Sequence, residues 1–205
     1  MVIEAVGARQ RNEGQGKSSP IAEVIPEERA IVEAAKRNPQ AFAALYDFYL
    51  PLIYRYCFLR LRSTELAEDA TSIIFTKAVA TVRTCRSDRF RAWLFTIARN
   101  VVIDVYRNQK PVVPLDRSES LIDSRNNPLD HAIWSDDERT VASLLSQLPQ
   151  DQAEIVALRL SGLKGVEIAR ATGKSQGSVR IAQFRAYARL RELVGSREFT
   201  LGETS

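Results

Sequence analysis

Histidine occurs once and cysteine twice in the 205 residues of this chain. A lone His131 leaves no cluster of the usual metal ligands, so no metal site is expected. Cys57 and Cys85 stand far apart without a C-x-x-C spacing, which argues against a disulfide framework and suits a reducing compartment. Long apolar runs are missing too: none approaches the roughly 18 to 20 residues that a membrane span needs. The opening MVIEAVGARQRNEGQGKSSP has no apolar stretch of signal-peptide length and mixes acids with its bases. The expected location is therefore the cytoplasm, with no membrane insertion. There is also no glycine-rich phosphate loop, carboxylate cluster, internal repeat or β-type alternation of useful length. An all-α fold follows, and no catalytic residue, cofactor or enzymatic activity is expected.

What the chain does carry is charge, unevenly spread. It is 45% hydrophobic and 26% charged, as a globular protein would be, with a net charge of +4. Residues 40–110 hold 11 bases and 6 acids, and residues 148–197 hold 9 and 4, each block netting +5. Between them, residues 111–147 hold 3 bases and 7 acids. Two basic blocks flanking an acidic connector suit two modules that touch one polyanion; solvated helix surface is the other reading.

Composition shifts mark the boundaries. Residues 1–25 open without periodicity, rich in Gly, Gln, Ser and Arg, and read as a disordered extension. Helical spacing occupies 26–110, and a Pro-, Ser- and Asp-rich stretch at 111–127 reads as a flexible linker. Helical signals resume at Pro128, which suits a first-turn position, and run through 194, leaving 195–205 as a disordered tail.

Within the second module, GVEIARATGKSQGSVRIAQFRA places Ala169, Gly173 and Val179 at the spacing of a helix-turn-helix. A small residue permits the crossing, a glycine takes the left-handed turn, and an apolar residue anchors the second helix. Ser175 is its N-cap. An ordinary helical hairpin is the alternative. Along the second helix, Val179, Ala182, Ala186, Leu190 and Leu193 fall on one face, and Gly177, Arg180, Ile181, Phe184, Arg185, Ala188 and Arg191 on the other. Arginines there can fork onto guanine edges or pair with phosphates, while Ile181 and Phe184 can meet thymine methyls. Packing of Ile181 and Phe184 on another protein is the competing view.

The first module holds DRFRAWLFTIARNVVIDVYRNQK. Its inward stripe is Phe90, Leu94, Ile97, Val101 and Val105; Arg99, Ile103, Tyr106, Arg107 and Lys110 project outward. Alternating aromatic and basic groups suit an unstacked strand, although Tyr106 alone reads equally as amphipathic surface. Trp93 and Cys57 read as core. Cys85 is flanked by Arg83 and Arg86, cations that could lower its thiol pKa, and whether it is redox-active is left open.

The run AEDATSIIFTKAV with FRAWLFTIARNVVIDVYRNQK resembles region 2 of the extracytoplasmic-function (ECF, group 4) sigma factors of bacterial RNA polymerase, in the sigma-70 superfamily. LLSQLPQDQAEIVALRLSGLKGVEIARATGKSQGSVRIAQFRAYARLREL resembles region 4 of the same family, and the two cover about 26–194. The resemblance implies a region 2 helical bundle that docks on core RNA polymerase and opens the −10 promoter element. It implies a region 4 helix-turn-helix that reads the −35 element as duplex. Implied partners are core polymerase (clamp coiled coil and flap), duplex and single-stranded promoter DNA, and an anti-sigma factor.

Matched residue by residue, core docking falls to Glu68, Asp69, Ser72, Ile73, Phe75 and Thr76. The −10 set is Thr84, Arg86, Ser87, Asp88, Arg89, Arg99, Asn100, Tyr106 and Arg107, and the −35 set is Arg159, Lys174, Ser178, Arg180, Ile181, Phe184 and Arg185. Departures accompany the likeness. DATSIIF stands where the family commonly reads DLTQEVF, and Ile181-Ala182 where it reads Ser-Arg, which implies an altered −35 sequence. The loop TCRSDR is one residue shorter than the common form. A stand-alone helix-turn-helix regulator, binding duplex DNA without core polymerase, is the alternative function.

Overall fold

A computed structural model describes residue 25, residues 27–109 and residues 135–202, apart from the side chains of 109 and 196–202. The readings placed on the N-terminal extension before residue 25, the 111–127 linker, the helix start at Pro128, Lys110 and His131 lie outside the described residues. Among those described, eight α-helices and three short 3-10 turns occur and no strand, as the all-α expectation requires.

The first helix, α1 (Glu28–Arg37), has an acid in its first turn and Lys36 and Arg37 in its last, matching the helix dipole at both ends. Asn38 ends it, and its side chain accepts from the Gln40 N–H at 3.0 Å to start a 3-10 turn, Pro39–Phe42. The next helix, α2 (Ala43–Leu61), is apolar nearly all round and so becomes the central helix: Leu45, Tyr49, Ile53, Tyr56, Cys57, Phe58 and Leu59 are all buried. Helix α3 (Thr64–Thr81) is capped by Ser63, whose hydroxyl accepts from the Leu66 N–H at 3.3 Å. Small residues on its inner face, Ala67, Ala70 and Ala78, let it lie close to α2 and to α4 (Phe90–Gln109). Two further 3-10 turns, Val82–Thr84 and Ser87–Arg89, join α3 to α4.

Aromatic rings fill the first module. Phe90 meets Phe42 edge-on at 6.2 Å and lies 5.5 Å from Trp93, which is half-buried against this core as its sequence reading holds. On α4, Phe90, Leu94 and Val101 are buried, and Ile97 and Val105 pack against the core, so the inward stripe is the one the sequence shows.

The second module runs α5 (Asp136–Leu145), α6 (Gln150–Leu160), α7 (Gly165–Thr172) and α8 (Gln176–Gly202). Ser135 caps α5, accepting from the Glu138 N–H, and three acids fill its first turn. Helix α8 continues to Gly202, past residue 194, so the stretch expected as a disordered tail from 195 is helical as far as 202. Gly195 costs the helix about 1 kcal/mol relative to alanine, but no proline follows to stop it.

The two modules are packed together in one core. Helix α2 lies against α5 and α6, and α4 lies against α7. Polar contacts cross the junction: Arg91 on α4 donates to the Gly162 carbonyl at 3.3 Å, and Arg55 on α2 lies 3.9 Å from Glu138 on α5.

Candidate nucleic-acid interface

The helix-turn-helix forms as its spacing dictates. Ala169 is buried at the crossing, Gly173 adopts φ 69°, where a β-carbon would be strained, and Val179 is fully buried. Ser175 caps α8, its hydroxyl accepting from the Ser178 N–H at 3.1 Å. Ahead of this turn, the Lys164 N–H donates to the Glu167 carboxylate at 2.7 Å, which fixes the start of α7.

These anchors set the rotation of α8. Val179 and Ala186 go inward, with Ala182 and Leu190 packed behind them. Arg180, Ile181, Phe184 and Arg185 come out into solvent, Phe184 with 75% and Ile181 with 55% of its surface exposed. Hydrophobic groups so exposed, one turn apart and flanked by arginines, lose nothing when they enter a groove and are costly to leave in water. Ser178 is exposed and shares a 2.8 Å hydrogen bond with the Ser175 hydroxyl. Lys174 is held by Asp151 at 2.8 Å, and Arg159 donates to the Leu163 carbonyl at 3.1 Å. Both bases are thus already engaged with the protein.

The first module presents two surfaces. On α3, Glu68, Asp69, Ser72, Ile73 and Thr76 lie exposed, and the Thr76 hydroxyl donates back to the Ser72 carbonyl. Phe75 does not share this face. It is 5% exposed and packs edge-on to Tyr46 at 4.7 Å, so its assignment to core docking is corrected: the ring is part of the fold.

Around the loop, Thr84, Arg86, Asp88 and Arg89 are exposed, with Asp88 lying between Arg86 at 3.3 Å and Arg89 at 3.5 Å. Hydrogen bonding from Arg86 and the two cations hold the Asp88 carboxyl below its ordinary pKa despite some desolvation. Ser87 is buried and turned toward α1, so it does not belong with the exposed set. On α4, Asn100 and Arg107 are exposed and Arg99 is half-buried. Tyr106 is half-buried as well. Its hydroxyl donates to the Arg60 carbonyl, and the Arg60 guanidinium lies 5.7 Å from the ring centroid. A platform already covered by a cation is not a free stacking surface, and Tyr106 is placed differently from its sequence reading.

Cys85 also departs from expectation. Arg83 and Arg86 lie at the surface, engaged with the Lys36 carbonyl and with Asp88, whereas the Cys85 thiol is buried and donates to the Arg86 carbonyl. Burial pushes its pKa up to about 11, so it is not an activated thiol.

Sequence reasoning missed Arg91, buried on α4, which donates from Nε to the Tyr49 hydroxyl at 3.3 Å and lies over that ring. It also missed Glu154, buried on α6 and paired with Arg60 at 3.3 Å. The available signal was charge inside an apolar run: Arg60 in YCFLRL and Glu154 in QAEIVAL.

A helical bundle with a basic helix, followed by a helix-turn-helix with an exposed apolar and cationic face, defines a two-module DNA-binding protein. Residues 45–112 match the Sigma-70 region 2 family, and residues 138–190 match the Sigma-70, region 4 family. The ECF RNA polymerase sigma factor BldN of Streptomyces coelicolor is 34% identical over 170 residues, covering 80% of this chain; the chain spans 64% of BldN's length. ShbA of Streptomyces griseus, also an ECF sigma factor, is 33% identical over 173 residues, 78% of this chain and 91% of its own. Two solved structures share the fold at 23% identity. CnrH in complex with the cytosolic domain of CnrY gives a TM-score of 0.66, covering 82% of this chain and 97% of that one. RpoE in complex with the anti-sigma factor NepR, from Bartonella quintana, gives 0.58, covering 75% and 96%. The chain belongs to the extracytoplasmic-function family of RNA polymerase sigma factors.

Proposed function

We propose that this protein binds core RNA polymerase through the exposed face of α3, directs it to promoters by reading the −35 element with α8, and holds the opened −10 strand with the loop and α4. The reading rests above all on the outward face of α8, where Arg180 and Arg185 flank the exposed Ile181 and Phe184. Arginine forks supply base-edge or phosphate contacts, and the apolar pair suits thymine methyls. For core docking the set is Glu68, Asp69, Ser72, Ile73 and Thr76, an acidic and apolar patch that suits a protein better than a polyanion. For the −10 element it is Thr84, Arg86, Asp88, Arg89, Asn100 and Arg107, with Arg99 behind them.

The protein supplies recognition, and polymerase supplies the chemistry. No helix among the described residues is long and apolar enough to cross a membrane, which fits action beside the polymerase in the cytoplasm. Because RpoE is seen with an anti-sigma factor and CnrH with CnrY, an inhibitory protein partner is part of the reading.

Run-off transcription with purified core polymerase tests it. Promoter-specific transcripts should require both proteins, and Ile73→Asp should abolish them without changing duplex binding by α8. A chain that binds promoter duplex by itself and adds no initiation by core polymerase would instead be a stand-alone regulator.

A further inference from the structure

The loop between α3 and α4 is built from two single 3-10 turns, Val82–Thr84 and Ser87–Arg89. Such turns have poor hydrogen-bond geometry and little stability of their own, so something else must fix the loop. Val82 and Cys85 are buried beneath it and give it an apolar footing. The specific contacts come from α1. Ser87 donates its hydroxyl to the Glu33 carboxylate and accepts from Lys36 Nζ at 2.9 Å, while Lys36 and Glu33 meet at 3.0 Å. Arg83 Nε closes the other end by donating to the Lys36 carbonyl at 3.2 Å. A serine hydroxyl has one proton to give, and here both its donation and an acceptance go to one helix.

Ser87 is 8% exposed and Lys36 21%, so at the serine end these bonds are shielded from water and orient the turn, while Glu33 stays half exposed. Ser87's hydrogen bond and then Lys36 hold the Glu33 carboxyl below its usual range, keeping it ionised and a strong acceptor. The loop's other side carries the exposed Thr84, Arg86, Asp88 and Arg89. Notably, α1 lies before residue 45, where the Sigma-70 region 2 match begins.

We infer that α1 is a positioning element for promoter recognition: Glu33 and Lys36, by gripping Ser87, set the loop geometry in which Thr84, Arg86, Asp88 and Arg89 meet the −10 strand. This rests on the −10 reading of that loop. In this reading Glu33, Lys36 and Ser87 need not touch DNA. They act through the loop, and their loss changes which −10 sequences open rather than where the protein binds duplex.

The test uses the full chain with core polymerase on a promoter library randomised across the −10 element, with promoter opening followed by 2-aminopurine fluorescence. Duplex −35 affinity and melting temperature are measured alongside. Ser87→Ala should lower opening and flatten −10 preference by about tenfold, the size expected when a hydrogen bond loses a partner, and Glu33→Gln, which keeps an acceptor for Ser87 but loses the charge that draws Lys36, should do so by about threefold. Duplex −35 affinity should hold, and Ser87→Thr, which keeps the hydroxyl, should restore the preference. Glu33 is half exposed, so its variant remains informative if Ser87→Ala does not fold. Normal −10 preference in Ser87→Ala and Glu33→Gln, with preference lost in Arg86→Ala and Arg89→Ala, would overturn the role of α1 and leave the loop reading standing. Unchanged preference in all four would overturn both.

Discussion

The Tyr56 hydroxyl donates to Glu154 across 2.6 Å, joining residues 98 positions apart and the central helix of the first module to the second. The same carboxylate faces Arg60 at 3.3 Å, without the alignment of a hydrogen bond from Arg60 Nε. All three groups are buried, so the junction holds a charge pair completed by a phenol. Burial first, and then the Glu154 charge, push the Tyr56 pKa well above the ordinary tyrosine range, so the phenol remains a donor.

Removing one partner of this group leaves the rest uncompensated. Glu154→Ala should cost about 3 to 5 kcal/mol in urea denaturation, because it strands Arg60 and the Tyr56 hydroxyl together. Tyr56→Phe should cost far less, about 1 to 3 kcal/mol. The two losses should also be non-additive, since they share one hydrogen bond. Strict additivity in a double-mutant cycle would mean that the modules are not held by this contact.

Phe75 and Ile73 stand two residues apart on α3 and should behave oppositely. Phe75→Ala empties a site against Tyr46 and should destabilise the fold by about 3 to 5 kcal/mol. Ile73 is 44% exposed, so Ile73→Ala should leave melting nearly unchanged while weakening core polymerase affinity in a pull-down or fluorescence titration. Equal polymerase binding by a folded Ile73→Asp variant would remove the α3 face from docking.

That contrast shows where sequence reading succeeds and where it stops. Ala169, Gly173, Ser175 and Val179 lie within eleven consecutive residues, and the turn and cap they specify are local, so their spacing carried the structure. The helical faces of α4 and α8 were legible for the same reason. Phe75 was not, because its inward turn depends on Tyr46 in another helix. Nor were Ser87, Arg91 and Glu154, whose partners lie 54, 71 and 98 residues away along the chain. Burial decides what these polar groups do, and no local pattern encodes it.

Both thiols should be silent in the native protein. Burial pushes Cys57 up to about 12 and Cys85 up to about 11, against roughly 8.5 for a free thiol. At neutral pH, Ellman's reagent should therefore react slowly with the folded chain and rapidly with both thiols in denaturant. The raised values also fix a pH trend. With folded values above unfolded ones, the contribution is complete below about pH 8.5 and declines as pH rises through 11 and 12. Buried Tyr49 and Tyr56, both shifted upward, add to the alkaline loss above about pH 10. Stability that rose between pH 9 and 11 would contradict this burial.

On α8 the side chains should divide by what they touch. Arg180 is exposed one turn beyond the N-cap, and in the proposed −35 reading its guanidinium meets a base edge; Arg180→Ala should then cost about 1 to 3 kcal/mol and relax preference at a single −35 position. Arg191 lies three turns farther along and faces solvent, a place for a phosphate. Arg191→Ala should weaken all duplexes alike and reduce the salt slope by about 0.9. Phe184, with three-quarters of its surface exposed, should discriminate by contact with a methyl group. Uracil placed at each −35 thymine in turn should therefore reproduce the loss seen in Phe184→Ala at one position and have no further effect on that variant. If all three variants lose affinity equally on promoter and random duplex, α8 binds DNA without reading it, and the −35 assignment fails with it.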